Sequence, residues 1–151
     1  MAVLPIVRQV TEADNALRFP VAGLDMSRNI VFTSEAPATP ATYSQAVKAA
    51  GLVFVSGIGP FEVGTGKVRG ETIQEQTRQC LINISAILKT AGSSLDRVAS
   101  ATVILLDEAD FAGMNEEWVE WFPKDPPARQ GAKLPVRIPN MKVSIAVIAE
   151  A

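Results

Sequence analysis

Residues 72–106 read TIQEQTRQCLINISAILKTAGSSLDRVASATVILL, and this stretch decides the fold. It opens with the spacing of a capping box, in which Thr72 and Glu75 each accept a hydrogen bond from the other's backbone N–H. Apolar residues then recur at steps of three and four, which predicts an amphipathic helix that ends at Gly92. The nearly continuous apolar run from Val98 to Leu106 predicts a strand that is central in a sheet and covered on both faces.

Turn residues divide the flanking sequence into further elements. Upstream, three β-type runs predict strands at 29–33, 44–49 and 52–56, with the Ala50-Gly51 pair closing a hairpin. Downstream, a second helix is expected at 108–122 and closing strands at 129–138 and 142–149. The buried side of this second helix is expected to carry Phe111, Met114, Trp118 and Trp121 or Phe122.

The order of these elements predicts an α+β domain with a mixed six-stranded sheet and both helices on one face. Two helices cannot cover both sides of such a sheet, so the opposite face is expected to mediate association between chains. Residues 1–30 are interpreted as an N-terminal extension, and residues 31–151 as the domain. The apolar start of the chain lacks a basic segment before it, which argues against a secretory signal.

Composition excludes several classes of function. The 14 basic and 16 acidic residues of the 151 are nearly balanced, so nucleic acid is not an expected partner. No stretch reaches the roughly 20 apolar residues that span a bilayer, so no membrane partner is expected either. A single cysteine, Cys80, fits a reducing compartment such as the cytoplasm, with an organelle not excluded. It falls on the apolar stripe of the first helix and is assigned to the core.

The chain contains no histidine. This removes catalytic triads that depend on histidine and most zinc or copper sites. Any chemistry must therefore use Arg, Lys, Glu, Asp, Tyr, Ser or the backbone.

From Ser34 onward the chain resembles the Rid family, the reactive intermediate deaminases or YjgF-like proteins. The matching runs are Tyr43-Ser44-Gln45-Ala46-Val47, Leu52-Val53-Phe54-Val55-Ser56-Gly57, Glu75-Gln76-Thr77-Arg78-Gln79, Ala91-Gly92-Ser93-Ser94-Leu95-Asp96-Arg97-Val98, Asp110-Phe111 leading to Asn115, and Pro127-Ala128-Arg129. The resemblance implies a chorismate-mutase-like fold and a homotrimer with three clefts between neighbouring subunits. It implies neither a metal nor an organic cofactor.

The resemblance also implies roles for particular residues. Arg129 matches the arginine that grips the carboxylate of an unstable 2-imino or 2-enamino acid, while water attacks the imine carbon. Tyr43 matches an aromatic wall of the cleft, and the backbone carbonyl near Gly131 would face the attacking water. Three further residues match positions near the cleft and are expected to bind substrate: Ser56, Gly57 and Asn115.

One departure from the family pattern lies in the last strand. Deaminating members carry a glutamate that helps to place the water, and the resemblance puts Ala146 at that position. Ser144 lies on the same face about 7 Å along the strand and is near enough to substitute, although a hydroxyl is a poor base. Loss of a positioned general base costs about 10²- to 10⁴-fold in rate.

The resemblance favours an enzyme that hydrolyses small 2-imino or 2-enamino acids to 2-keto acids and ammonia. Two alternatives stay open at this point. One is a divergent enzyme that catalyses tautomerisation, condensation or cyclisation of a carboxylated metabolite. The other is a non-catalytic trimer that binds such a metabolite.

Overall fold

Six strands form one mixed sheet in the computed structural model, which describes residues 27–134 and 137–151. The strands are β1 Asn29–Val31, β2 Ala46–Ala49, β3 Leu52–Ile58, β4 Val98–Leu105, β5 Ala128–Lys133 and β6 Val143–Glu150. Their order across the sheet is β1-β2-β3-β6-β4-β5. Only β4 and β5 pair in parallel, and every other neighbouring pair is antiparallel. The predicted mixed six-stranded sheet is confirmed.

The two helices are α1, Ile73–Thr90, and α2, Phe111–Trp121. The capping box at the start of α1 is confirmed, because the Thr72 hydroxyl accepts the Glu75 N–H at 3.2 Å and the Glu75 carboxylate accepts the Thr72 N–H at 3.0 Å. Gly92 follows the end of the helix with a φ of 81°, a conformation that glycine adopts without strain.

Two predicted boundaries differ from the observed ones by three residues or more. The second helix was expected from Glu108, but Glu108–Asp110 form a 3₁₀ turn because the Asp107 carboxylate accepts the Ala109 N–H at 2.9 Å. The strand expected at 129–138 ends at Lys133, because its partner β4 ends at Leu105, whose carbonyl accepts one last bond from the Leu134 N–H at 2.9 Å. Residues 135 and 136 lie outside the described part of the chain, as do residues 1–26 of the predicted extension.

Both helices lie on one face of the sheet, as predicted. The core between them is made of side chains that alternate along β3, β4 and β6 and the inner stripe of α1. Cys80 is fully buried in this core, and burial raises the pKa of its thiol. The thiol therefore behaves as a small apolar group, as the sequence predicted.

The opposite face of the sheet has no layer of described chain over it. The strand register places Ile30, Val47, Phe54 and Ile148 in one row across this face, which is called the open face below. Ile30 and Phe54 are 54% and 41% exposed. The prediction that the fourth strand is covered on both faces is therefore wrong for the single chain, although β4 does lie between two strands.

The hairpin predicted at Ala50-Gly51 is confirmed. Both residues have positive φ, 52° and 75°, as a tight turn between antiparallel strands requires. Within the described ranges, no helix combines the length and the apolar character that crossing a bilayer requires.

Candidate active site

Arg129 lies on β5, at the edge of the sheet, just after the Pro126-Pro127 pair that separates this strand from α2. It pairs in register with buried Ala101, so its side chain stands on the helix-covered face. There the guanidinium lies 5.8 Å from the centre of the Phe111 ring and 5.1 Å from that of the Trp118 ring. Its Nη2 donates to Asn115 Oδ1 at 2.7 Å. The side chain is thus held in place by α2.

The surroundings of Arg129 leave its charge available. Partial burial lowers the pKa of its guanidinium from the ordinary value, yet an arginine stays charged at any physiological pH. No carboxylate in the described residues forms an ion pair with it. The ring faces and an amide oxygen therefore orient the cation without neutralising it, which suits a site for an anionic ligand.

A cleft of about 560 Å³ opens beside the guanidinium. Its lining is mostly apolar, with charges at Glu108, Arg129 and Lys133. Gly131 lies between the two cations, and a side chain there would meet nothing closer than the Val103 carbonyl, at 3.9 Å. The backbone of Gly131 is therefore accessible from this cleft, which is called the arginine cleft below.

Phe111 corrects one prediction. Its side chain was expected on the buried side of α2, but it is 51% exposed and lines the arginine cleft. Phe111 is the first residue of the helix, and the first turn overhangs edge strand β5 rather than the core. The predicted core positions Met114 and Trp118 are buried.

A second cleft, also of about 560 Å³, contains Tyr43 and Gly57. The segment of residues 37–40 and the glycine-rich turn of residues 64–66 form its walls, and Glu62 and Ile138 complete it. The tyrosine ring is half exposed there. This site is called the tyrosine cleft below.

The two serines predicted near the cleft differ in what they contact. Ser56 Oγ donates to the Ser44 carbonyl at 2.6 Å, which ties β3 to the segment that carries Tyr43. Ser144 is buried, and its Oγ lies 3.1 Å from the position that a Cβ on Gly57 would take. Ala146 lies farther along β6, in a shallow pocket with Phe54, and neither Ala146 nor Ser144 is among the residues that line the tyrosine cleft.

A single chain does not bring the two groups of predicted residues together. β3 and β5 are three strand spacings apart, which is about 14 Å. Ser144 also stands on the open face, whereas Arg129 stands on the helix-covered face. Arg129, Asn115 and Gly131 therefore form one group, and Tyr43, Ser56, Gly57 and Ser144 form the other.

Sequence reasoning missed the carboxylate of Glu62 and the role of the aromatic pair Phe111 and Trp118. Glu62 follows the Gly57–Pro60 loop, which was interpreted as a turn beside the cleft, and its carboxylate accepts the Thr65 hydroxyl at 3.1 Å. The aromatic pair is spaced seven residues apart on α2, with Asn115 on the same face. That spacing is a detectable signal, but it is equally typical of a core stripe.

Comparison with known proteins identifies relatives across most of the chain. The family model described as endoribonuclease L-PSP matches residues 33–151. Reactive Intermediate Deaminase A, chloroplastic, from Arabidopsis thaliana is 40% identical over 132 residues, which are 85% of this chain and 69% of that protein.

Solved structures agree with this result. A protein of unknown function of the conserved Rid protein family from Yersinia pestis superimposes with a TM-score of 0.77 at 29% identity, over 83% of this chain and all of that one. The crystal structure of E. coli TdcF with bound serine gives a TM-score of 0.74 at 31% identity, over 82% of this chain and 98% of that one.

Proposed function

Because the chain belongs to the Rid, or YjgF-like, family, we propose that it hydrolyses small 2-imino and 2-enamino acids to 2-keto acids and ammonia. One observation carries this proposal: Arg129 is oriented by Asn115 and two aromatic rings, has no carboxylate partner among the described residues, and opens onto a cleft. The relative named a reactive intermediate deaminase supports the same reaction class.

The carboxylate of the substrate binds the guanidinium of Arg129. A planar fork of N–H donors holds a carboxylate in a bidentate geometry, which fixes the orientation of the carbon next to it. Arg129 does not act as a base. Its role is to bind and orient the substrate, and the apolar lining of the arginine cleft accommodates the remainder.

The reaction needs one water and no cofactor. Water adds to the C=N carbon, the imine nitrogen takes a proton, and the resulting tetrahedral adduct loses ammonia as its C=O bond forms. A 2-enamino acid first takes a proton on carbon and becomes the 2-imino acid. The backbone carbonyl near Gly131, beside Arg129 on β5, is suited to accept a hydrogen bond from the attacking water.

We propose that a second copy of the chain completes the site, within a homotrimer. The arginine cleft lies beside edge strand β5 and the tyrosine cleft at the end of β3, three strands away, and the two share no lining residue, so one small ligand reaches both only across an interface. The exposed apolar row of the open face supports association between chains. Tyr43, Gly57 and Ser144 of one copy would then face Arg129 of its neighbour.

Two side chains in or near the tyrosine cleft can help to place the water. Ser144 contacts Gly57 and offers a hydroxyl, while Glu62 offers a carboxylate at the rim of the tyrosine cleft. The resemblance assigned the missing glutamate to Ala146, but Ser144 is the residue of this strand whose Oγ lies 3.1 Å from the position of a Cβ on Gly57. A carboxylate introduced at Ser144 is therefore a sharper test than one at Ala146.

The alternative of binding without turnover also has an observation in its favour. The β6 residues on the open face near the tyrosine cleft, Ser144 and Ala146, carry no carboxylate. The TdcF structure holds serine, an amino acid without an imine, so a related fold binds a small carboxylated molecule.

We place the protein in the cytoplasm or in an organelle, since the name of one relative places that relative in the chloroplast.

The test is release of keto acid and ammonia from 2-imino acids that an amino acid oxidase generates in solution. Semicarbazide traps the free imine, so an active hydrolase lowers the yield of the trapped product. The native chain is expected to lower it, and Arg129→Ala is expected to lose at least about 100-fold in kcat/KM because a charged anchor is removed. Arg69→Ala is the matched control, since Arg69 is exposed and lies outside both clefts.

Three further outcomes separate the alternatives. If the native chain and Arg129→Ala hydrolyse imines equally, the proposal is wrong. If only Ser144→Glu or Ala146→Glu is active, the scaffold is suited to the reaction but the native chain is not an imine hydrolase. Binding of a 2-keto acid that depends on Arg129, without turnover, supports the binding alternative.

A further inference from the structure

The arginine cleft contains a second cation, Lys133, which the proposed reaction does not use. Arg129 pairs in register with Ala101 and Lys133 with Leu105, and these two β4 residues both face the helices. The side chains of Arg129 and Lys133 therefore leave β5 on the same face. The position between them on that face is Gly131, so no side chain separates the two cations.

Lys133 is as free of a carboxylate partner as Arg129 is. Neither of the two ion pairs among the described residues involves Lys133. Glu108 lines the same cleft and is its only carboxylate, at a distance too long for an ion pair with Lys133. The charged groups of the cleft thus sum to one net positive charge, before the substrate binds.

The spacing of the two cations defines the ligand they can share. Four residue steps along the strand place their Cα atoms about 13 Å apart, and both side chains stand roughly perpendicular to the sheet. That separation leaves room for two ion pairs and for a short carbon chain between the two anionic groups. A monocarboxylate bound at Arg129 would leave Lys133 unused.

We propose that the preferred substrate is a 2-imino acid with a second carboxylate at the end of its side chain, a 2-imino dicarboxylate. This inference rests on the proposed function and deepens it. Arg129 binds the carboxylate next to the imine, and Lys133 binds the distal one. Water adds to the imine carbon and ammonia leaves, so the product is a 2-keto dicarboxylate and no further reactant is consumed.

The experiment compares two imino acids with the same five-carbon chain, generated by oxidases from glutamate and from norvaline. The native chain is expected to hydrolyse the glutamate-derived imine with the higher kcat/KM. Lys133→Met keeps the length of the side chain and removes its charge, so it is expected to lower that preference about tenfold, because kcat/KM falls more for the glutamate-derived imine than for the norvaline-derived one. Glu108→Gln is expected to raise the preference, because it removes the competing negative charge.

Lys89→Met, at the end of α1 and outside both clefts, is the control and is expected to behave like the native chain. A native chain that hydrolyses the norvaline-derived imine as well as the other overturns this inference and leaves the proposed function intact. If neither imine is hydrolysed, the proposed function fails, and calorimetry still decides the inference. Tighter binding of 2-oxoglutarate than of 2-oxopentanoate, lost in Lys133→Met, supports it, and equal binding overturns it.

Discussion

At the scale of the residue, the environment of Arg129 distinguishes an anchor from an ordinary surface arginine. Arg78, by comparison, is engaged in a bidentate pair with Glu117 at 2.9 and 2.7 Å, and this pair raises the pKa of the guanidinium. Arg129 contacts only neutral groups: two ring faces, a thioether and an amide. Its charge is thus left for a ligand.

Asn115 provides a prediction at the same scale. In Asn115→Asp, a carboxylate would take the place of the amide oxygen 2.7 Å from Arg129 Nη2 and would neutralise the guanidinium. We expect Asn115→Asp to raise KM for a 2-imino acid by at least about tenfold, and Asn115→Ala to raise it less, because Ala removes only the orienting bond.

Steady-state kinetics of the two variants check this. The aspartate of Asn115→Asp and the native asparagine have nearly the same size. A difference in KM between that variant and the native chain therefore reports the charge and not the packing. An Asn115→Asp variant that binds substrate like the native chain would contradict the anchoring role of Arg129.

At the scale of the element, the capping box of α1 is a local device that the sequence predicts well. Backbone N–H groups of Thr72 and Glu71 donate to the Glu75 carboxylate, and they hold its pKa below the ordinary value of 4.5. Thr72→Ala removes the reciprocal bond and is expected to lower the free energy of unfolding by about 1 kcal/mol, measured by urea denaturation at neutral pH.

The same carboxylate gives a pH dependence with a defined sign. Because the folded state binds this proton more weakly than the unfolded state does, Glu75 stabilises the fold at pH above 4.5. That contribution is lost as the pH falls through the lowered pKa of the folded state. Glu75→Gln is therefore expected to show a shallower loss of stability below pH 4.5 than the native chain, and identical slopes would contradict the assignment.

The buried side chain of Gln45 makes hydrogen bonds that the strand pattern around it does not predict. The sequence places it in a β-type run, yet its buried amide accepts the Thr33 N–H at 2.7 Å and donates to the carbonyls of Thr33 and Pro37 at 3.0 and 2.9 Å. These bonds hold the segment that walls the tyrosine cleft. The hydrogen-bond partners of the buried Gln45 side chain lie twelve and eight residues away in the sequence. The local pattern of apolar and polar residues therefore cannot predict them.

At the scale of the whole molecule, the open face of the sheet is the feature that a single chain leaves unexplained. Phe54 lies near the middle of its apolar row. Phe54→Glu would place a charge in the proposed interface, so we expect it to dissociate the proposed trimer and to abolish the proposed imine hydrolysis, because each site would lose its second half.

Ile82→Glu is the control, since Ile82 is 45% exposed on α1, away from the open face. Light scattering gives the mass of each variant, and circular dichroism tests that the chain still folds. A folded Phe54→Glu chain that is monomeric and fully active would contradict the shared site, and a native chain that is itself monomeric would contradict the trimer.

The sequence by itself determined the elements, because their signals are local. The capping box of Thr72, the turn at Ala50-Gly51 and the apolar stripe of α1 each depend on residues within a few positions of one another. Strand periodicity likewise put Ser144 and Ala146 on one face. The motif of Pro127-Ala128-Arg129 singled out Arg129 as the candidate anchor by resemblance to a family.

The tertiary structure alone decided which of these residues meet. That β5 is an edge strand, that Phe111 leaves the core to lie against Arg129, and that Ser144 contacts Gly57 all follow from the sheet order and register. Those pairings join positions far apart in the chain, where the free energy depends on packing and strand pairing rather than on local pattern. For the same reason the sequence named a set of candidate site residues, while only the structure divided them into two groups.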